Sequence, residues 1–367
     1  MDDLSRIAVL ADDEILPEPS KTLTALLRYR PERIVAVIDR ATAGRDAATV
    51  AGFPAELGIP VVADVPAALA GFRPDAVLLA DEPVGAGLQP YWRDQIRLAL
   101  EAGVHVVNGM HFLISADPDL AAVARRTGAV VHDLRKAPED KYFTPFDADG
   151  RPIVHLRDHR PGSRTVLAVG TDCSSGKMTT MLELERALRA GGTDAAFLAT
   201  GQVGMMISGG GVAVDGLLAD FLNSTVEDAV FRATEEHDVV LVEGQGALNH
   251  PRYSGVTLGL LHGTRPDAMV LCHDLRRTAL GLLPQVALPS LRRAIEINEE
   301  AARWAEPDRA PRVIGLSVVT AGLGDDEARA ALRRLTGETG LPATDVLRYG
   351  AGELVPPVRA GLVGSAT

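Results

Sequence analysis

The chain has 367 residues, of which 46% are hydrophobic and 23% are charged, and its formal net charge is −12. This length suits two ordinary globular domains, and the acidic surplus argues against general binding to nucleic acid, which needs extra Lys and Arg against the phosphates. Apolar runs fall short of the ~20 residues that cross a bilayer and the acidic start is unlike a signal peptide, so we expect a cytoplasmic protein without a membrane partner.

The first 145 residues alternate short apolar runs with helical segments. We predict six strands that begin near positions 6, 33, 61, 76, 104 and 129, with a helix over 21–29. This alternation is typical of a parallel sheet with helices on both faces. The first strand leads into Ala11-Asp12-Asp13 and not into Gly-x-Gly-x-x-Gly, so the dinucleotide fingerprint is missing. We therefore predict a Rossmann-like domain over residues 1–145, in which Asp39 is a loop carboxylate.

A polar, proline-containing segment at 137–150 marks the predicted domain boundary, and residues 146–367 form a second α/β domain. Five near-continuous apolar runs in this part suit a parallel sheet that is buried on both faces; they lie at 165–170, 195–199, 239–242, 268–272 and 313–318. Ser224-Thr-Val-Glu227 has the spacing of a capping box and predicts the start of a helix.

A glycine-rich turn follows the first strand of the second domain and leads into a helical pattern that Gly191 and Gly192 end. The backbone N–H groups of such a turn converge on an anion, and a lysine adds a mobile positive charge. The long spacing of the turn resembles the loop of dethiobiotin synthetase. We predict that it binds the phosphates of a cofactor through Gly170, Thr171, Asp172, Cys173, Ser174, Ser175, Gly176, Lys177, Met178 and Thr179.

Met178 stands where a Ser or Thr hydroxyl normally holds Mg²⁺ in such loops. A thioether is a poor ligand for a hard cation that prefers oxygen. The loop is therefore expected to bind phosphate without being the standard device for Mg·ATP hydrolysis. A shift of the loop by one residue would instead let Thr179 or Thr180 supply the hydroxyl, so an ATP site with Mg²⁺ stays open as the alternative.

Candidate catalytic residues follow the strand at 239–242. Glu243 ends this buried strand, which is the position of the metal-orienting acid in P-loop enzymes. His250 follows in the same loop, and an imidazole suits proton transfer near neutral pH. We predict that Glu243, His250 and Lys177 are catalytic. The metal content is left open, since the two cysteines, Cys173 and Cys272, make neither a disulfide framework nor a metal motif.

Other polar residues follow neighbouring strands and are predicted to bind the substrate. Because the carboxyl ends of parallel strands meet at one edge of a sheet, these side chains are expected to converge with the glycine-rich turn. An Arg at this edge suits a substrate carboxylate. The predicted substrate-binding residues are Gln202, Asp215, Gln245, His273 and Arg276.

Several motifs together resemble a bacterial and archaeal family that was long catalogued as a domain of unknown function and that includes a D-glutamate N-acetyltransferase. The resemblance extends over nearly the whole chain. In the second domain it rests on Gly170–Thr180, Glu243–Pro251, Ser254–Gly263 and Leu271–Asp274, and in the first on Asn108–Phe112 and Asp133–Lys136.

The resemblance implies a Rossmann-like domain joined to a P-loop domain, with acetyl-CoA as the acyl donor and an amino acid such as D-glutamate as the acceptor. Coenzyme A carries phosphates but requires no γ-phosphate transfer, which suits a loop without its Mg²⁺ hydroxyl. The competing hypotheses are an ATP-dependent ligase or kinase and a nucleotide-gated sensor without turnover. The generous apolar fraction favours a homo-oligomer.

Overall fold

The computed structural model describes residues 4–12, 20–80, 88–137, 149, 151 and 156–362. The chain divides into two compact units. Unit 1 comprises Met1–Ala137 and Met205–Gly216, and unit 2 comprises Pro138–Gly204 and Leu217–Thr367. The predicted domain boundary at 145 falls outside the described residues. The assignment of the short segment Met205–Gly216 to unit 1 has no signal in the sequence.

Unit 1 is built around a six-stranded sheet with the order β3-β2-β1-β4-β5-β6, in which every pairing is parallel. This is the Rossmann strand order, so the predicted Rossmann-like fold is confirmed. The strands are β1 Ile7–Leu10, β2 Ile34–Ile38, β3 Val61–Val62, β4 Ala76–Leu79, β5 His105–Asn108 and β6 Val131–Asp133. The helices are α1 Lys21–Tyr29, α2 Ala47–Val50, α3 Val65–Phe72, α4 Pro90–Glu101 and α5 Pro118–Thr127.

Local signals explain where the elements of unit 1 begin and end. The hydroxyl of Ser20 caps α1 by accepting from the N–H of Leu23, and Asp117 caps α5 in the same way. Helix α5 ends at Gly128, which adopts the left-handed conformation at φ 77°. The chain then needs two more residues to reach the sheet, so β6 begins at Val131 and not at the predicted position 129.

The carboxylates at the strand ends of unit 1 are already bonded within the chain. Asp39, at the end of β2, accepts from the N–H of Ala41 and the hydroxyl of Thr42, as expected of a loop carboxylate. Asp12, at the end of β1, pairs with Arg40 at 2.6 Å. Asp39 and Asp12 are thus both bonded within the chain, in line with the absence of the dinucleotide-binding fingerprint from the sequence.

Unit 2 contains a second parallel sheet with the order β14-β13-β10-β7-β9-β8. The parallel strands are β7 Arg164–Gly170, β8 Ala195–Leu198, β9 Val239–Val242, β10 Ala268–Asp274, β13 Arg312–Val319 and β14 Ala343–Thr344. A separate antiparallel hairpin consists of β11 Ala279–Leu280 and β12 Leu283–Ala287. The helices are α6 Lys177–Ala190, α8 Ala219–Glu236, α9 Ser254–Thr264, α10 Leu291–Arg303, α11 Asp325–Thr339 and α12 Val355–Ala360. Helix α7, Gln202–Ser208, starts in unit 2, and its last four residues belong to unit 1.

The five predicted strands of unit 2 are all present, but one predicted helix start is wrong. Helix α8 begins at Ala219, five residues before the Ser224 motif. Inside the helix, the Ser224 hydroxyl donates to the carbonyl of Phe221, and the Glu227 carboxylate pairs with Arg157 at 2.8 Å. The Glu227 carboxylate, which a capping box would use, therefore pairs with the distant Arg157 instead.

The core of unit 2 consists of apolar side chains from the central strands and from the helices packed on them. Strands β7, β9 and β10 are almost completely buried, as their continuous apolar runs predicted. Among the described residues, none of the helices combines the length and the apolar character that crossing a bilayer requires.

Candidate functional site

The glycine-rich turn lies at the switch point of the unit 2 sheet. Strand β7 stands between β9 and β10. The chain passes from β7 to the edge strand β8 on one side, returns to β9, and then continues through β10, β13 and β14 on the other side. Ligands of open α/β sheets bind outside the carboxyl ends of the strands at such a point. The chain there continues from β7 into the turn, from β9 into the loop of Glu243, and from β10 into Asp274 and the hairpin.

The turn from Gly170 to Lys177 has the backbone geometry of an anion cradle. Ser174 and Gly176 both adopt left-handed conformations, at φ 52° and 93°, and α6 begins at Lys177. A Cβ on Gly170 would lie 2.6 Å from the Ser175 Oγ, so this position requires glycine. The N–H groups of the first turn of α6 therefore stand behind a compact loop, as phosphate binding requires.

Lys177 is folded back onto the turn. Its Nζ donates to the carbonyl of Asp172 at 2.8 Å and to the Ser175 Oγ at 3.4 Å. Its stem lies against the loop that follows β9, because a Cβ on Gly244 would come within 3.0 Å of the Lys177 Cδ. The ammonium group therefore lies within the loop that is predicted to hold phosphates.

Met178 and Thr180, two residues close to Lys177, offer no available hydroxyl to Mg²⁺. Met178 is buried, with 6% of its surface exposed. The Thr180 hydroxyl is completely buried, 2.8 Å from the Gly176 carbonyl and 2.7 Å from the Ser317 Oγ. Of the two threonines that a shifted loop would use, Thr180 is thus already committed inside the core.

Glu243 is also committed to bonds within the chain. Its Oε2 accepts from the backbone N–H groups of Thr200 and Gly201, at 2.9 and 3.0 Å, and the Thr200 hydroxyl donates to the Glu243 carbonyl. A Cβ on Gly204 would lie 2.4 Å from this carboxylate oxygen. Glu243 therefore anchors the connection between β8 and α7, which lies two strands away from the turn.

Arg277 ties the turn to the hairpin and was missed by the sequence reasoning, which selected its neighbour Arg276. The Asp172 Oδ2 accepts from the Arg277 Nη1 at 2.6 Å and from the N–H of Gly281 at 2.9 Å. Arg277 also donates to the carbonyl of Cys173 at 2.7 Å. Two adjacent arginines look alike in a sequence, and only the fold shows which of them reaches the turn.

Arg276 pairs with Asp274 through both carboxylate oxygens, at 3.0 and 2.7 Å. Burial raises the pKa of the Asp274 carboxyl, but the hydrogen bonds from Arg276 outweigh it, so the pKa lies below its usual value. With 60% of its side chain exposed, Arg276 is open to solvent at the end of β10. Its binding to a substrate carboxylate stays a prediction.

The remaining predicted substrate-binding residues of unit 2 lie at the ends of neighbouring strands. The hydroxyl of Thr171 lies 2.9 Å from the His273 Nδ1, and burial lowers the pKa of this imidazole. Gln245 lies 3.4 Å from the Thr200 hydroxyl, and Gln202 begins α7. These residues flank the turn on both sides, as predicted from their positions after neighbouring strands.

His250 is completely buried beside the turn. Its Nδ1 accepts from the N–H of Arg252 at 3.2 Å, and its ring packs on that of Tyr253 with centroids 4.6 Å apart. One of its ring nitrogens lies within 4.8 Å of an Asp172 carboxylate oxygen and of the Cys173 sulfur. The imidazole therefore faces the first residues of the glycine-rich turn.

Asp215 belongs to unit 1, whereas the other predicted substrate-binding residues belong to unit 2. Its Oδ2 is 3.0 Å from the Arg135 guanidinium and 3.9 Å from the His111 Nε2. A Cβ on the adjacent Gly216 would lie 2.3 Å from the carbonyl of Arg135. These contacts fasten the segment to unit 1, and a role of Asp215 toward substrate stays a prediction.

Comparison with known proteins agrees with both units. Residues 153–355 match the P-loop domain, and residues 40–137 the Rossmann-like domain, of the domain of unknown function DUF1611. A D-glutamate N-acetyltransferase of Tritonibacter scottomollicae is 38% identical over 341 residues, which cover 93% of this chain and 94% of the relative. One from a Pseudoalteromonas species is 37% identical over 272 residues, 74% of this chain and 77% of that protein.

A solved structure has the same fold throughout. The crystal structure of a DUF1611 family protein from Anabaena variabilis aligns with a TM-score of 0.85 at 36% identity, covering 97% of this chain and 99% of the other. Both domain matches, their order and the full-length likeness agree. The chain belongs to the DUF1611 family.

Proposed function

We propose that the protein transfers the acetyl group of acetyl-CoA to the amino group of a small amino acid, D-glutamate or a close relative of it. The observation that supports the proposal most directly is a P-loop turn at which Met178 offers no oxygen and the Thr180 hydroxyl is bonded inside the core. The two relatives named D-glutamate N-acetyltransferase support the same reaction class.

The turn suits the chemistry of a coenzyme A thioester. Coenzyme A offers a pyrophosphate and a ribose phosphate to backbone N–H groups and to Lys177, and the acetyl transfer leaves these phosphates intact. Magnesium is needed where phosphoryl groups are transferred, to neutralise the developing charge. Here Met178 supplies no oxygen, the Thr180 hydroxyl is buried in other bonds, and the Glu243 carboxylate holds two backbone N–H groups.

The chain's residues have separable tasks in this proposal. Lys177 and the start of α6 bind the phosphates, and Arg277 fixes the turn through Asp172. Glu243 fixes the loop of Thr200 at the neighbouring strand end. We assign the exposed Arg276 to a carboxylate of the acceptor amino acid, which its positive charge attracts although its Nε and Nη2 already donate to Asp274.

Isothermal titration with acetyl-CoA, and with ATP in the presence and absence of Mg²⁺, tests the phosphate site. We expect acetyl-CoA to bind, and Lys177→Ala to weaken that binding about 10- to 100-fold, because a hydrogen bond to a charged group contributes about 1.5–3 kcal/mol. The matched control is Lys21→Ala, which removes an exposed lysine of α1 in unit 1. Equal weakening in both variants would contradict the assignment of the turn.

Turnover is measured as the release of free coenzyme A thiol with D-glutamate and, in parallel, with L-glutamate. Acetyl transfer predicts thiol release without added metal. Nucleotide consumption that depends on Mg²⁺, with no affinity for acetyl-CoA, would instead identify an ATP-dependent ligase or kinase. Binding of acetyl-CoA without turnover on any amino acid would identify a sensor.

A further inference from the structure

The imidazole of His250 is held in one orientation by the loop between β9 and α9. The backbone N–H of His250 donates to the carbonyl of Ala247, and the N–H of Ser254 donates to the carbonyl of His250, both at 3.0 Å. The ring packs on Tyr253, and its Nδ1 accepts from the N–H of Arg252. A neutral imidazole that accepts at Nδ1 carries its proton at Nε2. His250 therefore presents an N–H donor at Nε2.

This donor is buried and unsatisfied. The Nε2 of His250 has no hydrogen-bond partner among the residues that the structure describes, although the side chain is 0% exposed. Buried N–H groups are nearly always paired, and an exception calls for an explanation such as a bound ligand. The ring faces Asp172 and Cys173 in the glycine-rich turn. A ligand bound at the turn would bring an acceptor atom close to this ring.

A metal ion fits this place poorly. An oxygen of Asp172, the sulfur of Cys173 and a ring nitrogen of His250 do lie within 4.8 Å of one another, and zinc accepts such ligands. However, a metal needs the lone pair of Nε2, and the bond to Nδ1 leaves a proton there. Asp172 is already paired with Arg277, and burial raises the pKa of the Cys173 thiol, so the thiolate is disfavoured.

We propose that His250 is a catalytic hydrogen-bond donor, whose Nε2–H binds the carbonyl oxygen of the acyl group during transfer. The inference rests on the proposed acetyl transfer and replaces the role in proton transfer that the sequence suggested for His250. A preorganised donor in a site that excludes water stabilises an oxyanion far better than the same donor does in solution.

The step balances without a proton from His250. The amine nitrogen attacks the thioester carbon, the new C–N bond forms, and the π pair of the carbonyl moves onto the oxygen that faces Nε2–H. The carbonyl then re-forms as the C–S bond breaks, and the leaving thiolate takes one proton. An acceptor that starts as an ammonium ion loses two protons in all, one to the thiolate and one to solvent.

Two substitutions separate a donor from a base. His250→Gln places an amide NH₂ near the position of Nε2, so it keeps a donor there but has no basic nitrogen. His250→Asn places its amide near Nδ1, so it can still accept from Arg252 but presents no donor toward the turn. The control is His262→Gln on α9, where the ring nitrogen Nε2 lies 3.0 Å from the carbonyl of Ala301 and away from the turn.

We expect His250→Asn to lower kcat about 10²- to 10³-fold, the loss typical of a removed oxyanion donor. We expect His250→Gln to recover at least about tenfold of that loss, and His262→Gln to match the wild type. Two results would overturn the inference. One is an equal loss of kcat in the Gln and Asn variants when both variants bind acetyl-CoA and melt like the wild type. The other is a kcat near the wild-type value in the Asn variant.

The tautomer is measured without any turnover, by ¹⁵N NMR of the imidazoles, with the His250 signal identified by its loss in His250→Gln. A proton at Nε2 is the expected result. A proton at Nδ1, or stoichiometric Zn²⁺ binding that requires both His250 and Cys173, would overturn the donor role. A wild type that transfers no acetyl group would refute the proposed function and this role together. An active wild type, combined with any of the contrary results named above for the variants or the tautomer, would refute the role alone.

Discussion

The change of Gly244 to alanine is the sharpest test of how the loop after β9 is packed against β7. A Cβ at this position would lie 1.7 Å from the carbonyl oxygen of Ala168 and 3.0 Å from the Lys177 Cδ. The first contact is with the backbone of a central strand, which cannot rotate away as a side chain can. The strand or the loop must therefore move, and Lys177 lies directly beside them.

The expected cost follows from this clash. Forcing extra atoms into a well-packed core costs typically 1–3 kcal/mol, and because the obstacle is backbone we expect about 3 kcal/mol for Gly244→Ala. For a unit of about 200 residues, each kcal/mol lowers Tm by roughly 2–4 °C, so the melting temperature of unit 2 should fall by about 6–12 °C.

Thermal unfolding and titration with acetyl-CoA are measured on the same samples. The control is Gly255→Ala in α9, where an added Cβ meets nothing within 4 Å, so alanine should leave Tm unchanged or raise it slightly. We expect Gly244→Ala to bind acetyl-CoA more weakly as well, because the displaced backbone carries Lys177 with it. A Tm within about 2 °C of the wild type, with full affinity, would refute the packing argument.

Two further predictions concern titratable groups. Burial raises the pKa of the Cys272 thiol to about 11. At pH 8 a thiol reagent should therefore modify the half-buried Cys173 slowly and Cys272 only after denaturation. Rapid reaction of both thiols in the folded protein would contradict this burial. The hydrogen bond from Arg93 lowers the pKa of Asp117, so its stabilisation is complete above the unfolded value of about 3.9 and is lost as pH falls through the folded pKa. Asp117→Asn should therefore lower Tm at pH 7, and the difference from the wild type should shrink as the pH is lowered below about 3.9. A pH-independent difference would argue against the ion pair.

The elements of both sheets were predictable because their signals are local. The run at 165–170, the glycine-rich turn and the apolar stripe of α6 each lie within a few residues, and the structure has them as β7 and α6. Strand β14 and the hairpin of β11 and β12 escaped prediction. Their strands are only two to five residues long and carry too little periodicity to be seen.

The site was predictable in its position but not in its bonds. The topology of alternating strands and helices predicted that the ends of β7, β9 and β10 meet, and the sheet order agrees. The use of the Glu243 carboxylate by the N–H groups of Thr200 and Gly201 was not predictable, since these residues lie 43 and 42 positions earlier in the chain. Likewise, nothing local distinguishes Arg277 from Arg276.

The sequence by itself determined the fold class, the glycine-rich P-loop turn and the methionine that replaces its usual hydroxyl residue, because these depend on residue type and on spacing over short stretches. Only the tertiary structure decided which polar groups are already bonded and which remain open to a ligand. The Nε2 of His250 and the hydroxyl of Thr180 show the difference: both are buried polar atoms, yet the hydroxyl is paired, whereas Nε2 has no hydrogen-bond partner among the described residues. Hydrogen bonds between residues far apart in the chain depend on how the strands pack, and local patterns carry no record of that packing.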